Sequence, residues 1–171
     1  CRILKNPEFV ITWTVKTIAP QNWNAVWEQN FSPIAIEDKC RVRAPFHTPE
    51  AVRYDIVIAP QISFGTGHHE TTYMMLQHLL DTDCTNKAVL DMGCGTGLLA
   101  ILAHKKGAAS VDAVDIDPQC VVNSQENIER NSCKSIRVQQ GDHKILAGRQ
   151  YHIILANINR NILLGDIPHY A

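Results

Sequence analysis

The sequence predicts an α/β domain, a doubly wound and mainly parallel sheet, and three observations carry that expectation. Strand and helix signals alternate from residue 88 onward. The first strand of that series runs straight into a glycine-rich turn that opens a helix. Asp117-Pro118 then supplies an N-cap and a first-turn proline directly behind the second strand. A β-α-β-α-β order calls for right-handed crossovers and parallel pairing. Ligands of such sheets sit beyond the carboxyl ends of the strands.

The elements follow in order. Residues 9–16 are β-branched and partly alternating, and read as a strand. Residues 22–30 carry Trp23, Val26 and Trp27 at helical spacing. Two strand-like runs, 39–44 and 54–59, flank a turn with Pro45 and Pro49, and are expected to form a hairpin. Residues 64–67 make a glycine-bearing loop. Residues 69–80 place Met75, Leu76, Leu79 and Leu80 on one side of a helix. Residues 88–91 form a short strand, and 98–106 a helix that Gly107 stops. A strand at 111–116, a helix from Asp117 to about Arg130, and a strand at 136–139 come next. Residues 151–156 are almost continuously apolar, the pattern of a strand buried on both faces.

Composition bounds the function. The 171 residues are 45% hydrophobic and 19% charged with a net charge of -1, which fits a globular domain and gives no electrostatic case for a nucleic-acid partner. The six cysteines form no C-x-x-C pair, so neither a zinc ribbon nor a thioredoxin motif is present. Scattered thiols of this kind suit a reducing compartment, and the cytoplasm is expected. No stretch reaches the ~20 apolar residues of a membrane span, and no membrane partner is expected. The chain starts at Cys1 and stops soon after the strand at 151–156. Truncation at both ends and a C-terminally incomplete sheet are therefore expected.

Chemistry gathers in the turn Asp91-Met92-Gly93-Cys94-Gly95-Thr96-Gly97. Glycines let the backbone turn sharply and approach a ligand closely. The dinucleotide fingerprint has two residues before its last glycine. Only Thr96 separates Gly95 from Gly97, which counts against a nicotinamide-dependent oxidoreductase. Asp115, at the tip of the next strand, lies 22 residues beyond Gly93, near the ~20 expected of an acid that binds ribose hydroxyls. Asp117 is better used as the helix cap. The D-x-G-x-G-x-G pattern resembles the first motif of class I S-adenosylmethionine-dependent methyltransferases. That resemblance implies a Rossmann-like sheet and S-adenosyl-L-methionine as cofactor.

A narrower resemblance comes from Gly65-Thr66-Gly67-His68-His69-Glu70-Thr71-Thr72 upstream of the glycine turn, and from residues 154–163 with Asn157 at a strand end. Together these look like the bacterial PrmA-type methyltransferases that modify ribosomal protein L11. The resemblance implies that Thr72, Gly93, Gly95, Asp115 and Asn157 surround the cofactor. It implies a protein N-methyltransferase acting on lysine or N-terminal amines of L11, with Asn157 at the reacting centre. It divides the chain into a remnant of a substrate-recognition domain (1–19), a linker helix and hairpin (20–60) and a partial cofactor-binding domain (61–171).

Asn157-Ile158-Asn159-Arg160 lacks the Pro-Pro-aromatic sequence of methyltransferases that act on planar amides and bases, so a flexible amine fits better. His68-His69-Glu70 lacks the i, i+4 histidine spacing of a zinc helix, and no metal is expected. A class I enzyme acting on a small molecule or RNA, and a non-catalytic cofactor-binding fragment, stand as alternatives.

Overall fold

The computed structural model describes residues 14, 32–59, 69–146 and 148–170. The contacts of the chain divide it into two units, Cys1–Phe31 and Ser32–Ala171. The strand expected at 9–16, the helix at 22–30 and the loop at 64–67 lie outside the described residues.

Two sheets occur in the second unit. The smaller holds β1 (Ile34–Ile36), β2 (Cys40–Arg43) and β3 (Tyr54–Val57). The larger holds β4 (Ala88–Met92), β5 (Ser110–Asp115), β6 (Ile136–Gln140) and β7 (Ile153–Ala156), in the order β6-β5-β4-β7 and parallel throughout. Its helices are α1 (Glu70–Asp81), α2 (Leu98–Lys105), α3 (Pro118–Arg130) and α4 (Arg160–Asp166). This is the parallel α/β arrangement the sequence predicts.

Local chemistry explains the starts and stops. His69 caps α1 by accepting the Thr71 N–H. Asp117 caps α3 by accepting the Gln119 N–H, with Pro118 at the first helical position, as its sequence implies. Gly107 closes α2 with a φ of 89°, a left-handed turn that glycine takes without strain. α2 is buried from Leu98 to Ala103. It lies in a core that joins the two sheets: Ile36, Val42 and Ile56 belong to the same cluster as Leu76, Ile101 and Val111.

Two expectations fail. The runs at 39–44 and 54–59 do not form a hairpin: β2 and β3 pair in parallel, Cys40 with Tyr54 and Arg43 with Val57. The hairpin is β1–β2, reversed at residues 37–39 with Glu37 at a φ of 49°. The buried guanidinium groups of Arg41 and Arg43 explain the difference. Arg41 donates to the Thr48 carbonyl at 2.7 Å, and Arg43 donates to the His47 carbonyl at 3.0 Å and to both oxygens of Asp55 at 2.9 Å. They hold the proline-containing loop across the strand, so the chain re-enters in the same direction. The second failure is β7, of which only Leu155 is buried; Ile153, Ile154 and Ala156 are partly exposed. Among the described strands β7 pairs with β4 alone, so one of its edges and part of its faces stay open.

Candidate cofactor site

The carboxyl ends of β4, β5, β6 and β7 open into one cavity of about 650 Å³. That lies within the ~300–1,000 Å³ usual for small-molecule sites. Thr72, Gly93, Gly95, Asp115 and Asn157, which come from four separate stretches of the chain, all line it.

The glycine turn forms the floor. Gly93, Gly95 and Gly97 have φ values of 72°, 53° and 77°, a left-handed path that side chains oppose. The Gly93 and Cys94 N–H groups both donate to the Val114 carbonyl, at 2.7 and 3.0 Å. A Cβ on Gly93 would stand 2.1 Å from Ile158 Cγ2. The turn is thus pinned to β5, and at Gly93 it packs against Ile158 after β7 with no space for a Cβ.

Asp115 is 8% exposed. Its Oδ2 accepts the Gly95 N–H at 2.8 Å and its Oδ1 accepts the Asp117 N–H at 3.0 Å. One carboxylate therefore ties the glycine turn to the start of α3. Each oxygen keeps a lone pair, so the group can still accept from two neighbouring hydroxyls.

Asp91 lies beneath, 1% exposed, with Oδ2 accepting the Ala100 N–H at 3.0 Å. Burial pushes its carboxyl up to about 7; the Ala100 N–H opposes that shift and the Asp115 charge adds to it. Asp91 is therefore an acid of the cavity floor that changes its ionisation near neutral pH. Burial also pushes up the thiols of Cys94 and, to about 11, Cys120, so neither cysteine of this wall is a ready nucleophile.

The opposite wall joins α1 to the end of β7. Thr72, 2% exposed, accepts a 3.1 Å hydrogen bond from Asn157 Nδ2. Asn159 caps α4 through the Asn161 N–H, and Ile162 of that helix borders the cavity. His69 is used as the cap of α1.

Some contributors are not legible in the motifs. Ile116, the residue after Asp115, lines the cavity and is 73% exposed. An apolar side chain held in the open beside a carboxylate is the signal that finds it. Asn127 is fully buried: its Nδ2 donates to the Thr96 carbonyl at 3.0 Å and its Oδ1 accepts the Ala59 N–H at 2.9 Å. It links the glycine turn to the strand-like run before residue 60. Asn123 and Asn127 of α3 and Asn131, its C-cap, recur every four residues, a polar stripe that a sequence reading can pick out. Asp142, after β6, also lines the cavity, and its Oδ1 accepts the Lys144 N–H at 2.9 Å.

Comparison with known proteins places this geometry in context. The family model described as "Ribosomal protein L11 methyltransferase (PrmA)" matches residues 3–170. A protein of Phocaeicola vulgatus named ribosomal protein L11 methyltransferase is 52% identical over 169 residues, covering 96% of this chain and 60% of the relative. One of the same name from Porphyromonas gingivalis is 55% identical, covering 87% of this chain and 52% of the relative. The crystal structure of a ribosomal protein L11 methylase from Lactobacillus delbrueckii subsp. bulgaricus superposes with a TM-score of 0.73 at 30% identity, covering 82% of this chain and 73% of that one. The chain thus spans between 52% and 60% of the length of these two curated relatives.

Proposed function

The chain belongs to the ribosomal protein L11 methyltransferase family, and from that premise we propose that residues 61–171 bind S-adenosyl-L-methionine and that the whole protein methylates lysine or N-terminal amines of ribosomal protein L11. One observation carries the reading: the carboxylate of Asp115 and the turn Gly93–Gly97 are joined by a hydrogen bond at the floor of a single cavity. An acid able to accept from two hydroxyls beside a turn with no Cβ in the way suits an adenosine with an amino-acid tail. A pyrophosphate would instead meet the Asp115 carboxylate beside the turn.

The residues divide the work. Asp115 would hold the ribose, Ile116 would lie against the base, and Gly93 and Gly95 would admit the methionine end. The Thr72 hydroxyl has one hydrogen left to donate toward the cofactor. S-adenosyl-L-methionine supplies a methyl group on a positively charged sulfur. The Asn157 amide oxygen accepts from the substrate amine and points its lone pair along the line of transfer. A lysine amine, with a reference pKa of ~10.4, must shed a proton first, and enclosure in an apolar site lowers that value. With the group bound, the Asn157 oxygen would hold the amine in line with the methyl group. Positioning of this kind can supply ~7–11 kcal/mol of the barrier.

Among the described residues no helix is long and apolar enough to cross a membrane. The reading places the protein in the cytoplasm with neither membrane nor nucleic acid as a direct partner. Calorimetry with S-adenosylmethionine and with NAD tests the cofactor. Binding of the first alone is expected, and binding of NAD alone overturns the reading. Incubation of the full-length protein with labelled cofactor, L11 and ribosomal RNA tests the substrate; label on RNA alone sides with an RNA methyltransferase.

A further inference from the structure

We propose that Thr72 is a positioning residue for the reaction: its hydroxyl fixes the Asn157 amide, so that the amide oxygen faces the incoming amine. The inference rests on the methyltransferase reading above and deepens it. Asn157 directly follows β7, a strand paired on one side only among the described strands and partly exposed. The residues after it are Ile158, Asn159 and Arg160, with no proline to stiffen the backbone. An asparagine amide in so open a place has two faces of nearly equal size, a donor and an acceptor, and nothing local to choose between them.

The choice comes from α1. The Asn157 Nδ2 donates to Thr72 Oγ1 at 3.1 Å across 85 residues of sequence. Thr72 is a firm anchor: it lies in the first turn of α1, is 2% exposed, and its β-branched side chain has few rotamers. With Nδ2 engaged, the oxygen is the group that Asn157 presents. An amine about to receive a methyl group carries hydrogens to donate and must keep its lone pair free, so an acceptor is the correct partner and an NH₂ group is not.

The test uses the full-length protein, with L11 as substrate, in four forms: T72S, T72V, N157A and the double variant T72V/N157A. Thr72→Ser keeps the hydroxyl and is expected to hold the single-turnover rate within about threefold of wild type. Thr72→Val keeps the shape and is expected to lower that rate at least ~tenfold, with a smaller change in cofactor affinity. Because the two residues act as one unit, T72V/N157A is expected to be about as slow as N157A alone. Losses that multiply, or a serine variant as slow as the valine one, overturn the proposal. A direct readout separates it from the methyltransferase reading. By NMR, one Asn157 Nδ2 proton is expected to lie away from the free-amide position in wild type and T72S, and to return to it in T72V. If wild type transfers no methyl to L11, the functional reading fails, and this resonance still decides whether the hydroxyl holds the amide. Unchanged melting temperatures in T72S and T72V confirm that both fold.

Discussion

The two walls of the cavity are built in opposite ways. The wall of Asp91, Gly93, Gly95 and Asp115 is cross-tied: both peptide N–H groups at the start of the turn meet one carbonyl of β5, and each buried carboxylate caps a neighbouring backbone donor. The wall of Asn157, Asn159 and Ile162 rests on a one-sided strand and on α4, which has no buried residue. Among the described residues, the Asn157–Thr72 bond is the one side-chain hydrogen bond that fastens its first residue to the rest of the domain. A surface that must hold one ligand in one pose gains from rigidity. A surface that must admit a protein side chain and release it can be looser, since mobile, lightly packed segments are where such openings occur.

Substitutions can break or sharpen this contrast, and the largest effect belongs to the rigid wall. Gly93→Val adds a β-branched side chain at a φ of 72° and drives it into Ile158. The backbone strain and the displaced contact together are expected to cost about 3–5 kcal/mol, read as a fall in the urea midpoint, with loss of cofactor binding by calorimetry.

Asp91 gives the next effect, and it depends on pH. Its carboxyl is raised to about 7 by burial, so the fold prefers the protonated form. That contribution is complete below the unfolded value of ~3.9 and is lost as pH rises through about 7. Asp91→Asn keeps an acceptor for the Ala100 N–H and cannot ionise. The variant is expected to match wild type near pH 4.5 and to exceed it by on the order of 2–4 kcal/mol at pH 8.5, in urea unfolding of the cofactor-free protein. A difference that stays constant with pH refutes a neutral Asp91 at the cavity floor.

Asp115→Ala leaves the Gly95 and Asp117 N–H groups without their acceptor. A cost of about 2 kcal/mol in stability is expected, together with a loss of cofactor affinity larger than the loss of fold alone produces. The smallest change is expected on the loose wall. Ile162 is 57% exposed, and Ile162→Ser should alter stability by less than about 0.5 kcal/mol. A rise in KM for the protein substrate, without a change in cofactor affinity, is expected and would mark that wall as the substrate's side.

Much of this was legible along the chain because its causes are local. Asp117-Pro118 could only start a helix, and the glycines at 93, 95 and 97 could only make a tight turn after a buried strand. Asp115 was found by its distance from that turn. The hairpin expectation failed for a non-local reason. Pro45 and Pro49 announced a turn, but the side chains of Arg41 and Arg43 set its direction by reaching over to Thr48, His47 and Asp55. The apolar run at 153–156 gave a strand, yet its place at the rim of the described sheet depended on which strands lay beside it.

The sequence by itself determined the alternation of elements, the helix caps, the glycine turn and the family resemblance, since each depends on residues a few positions apart. Only the tertiary structure decided that Thr72 and Asn157 touch, that Asp115 closes the turn it follows, and that Asp91 holds its proton near neutral pH. Those properties depend on burial and on contacts between distant segments, and no stretch of neighbouring residues contains either.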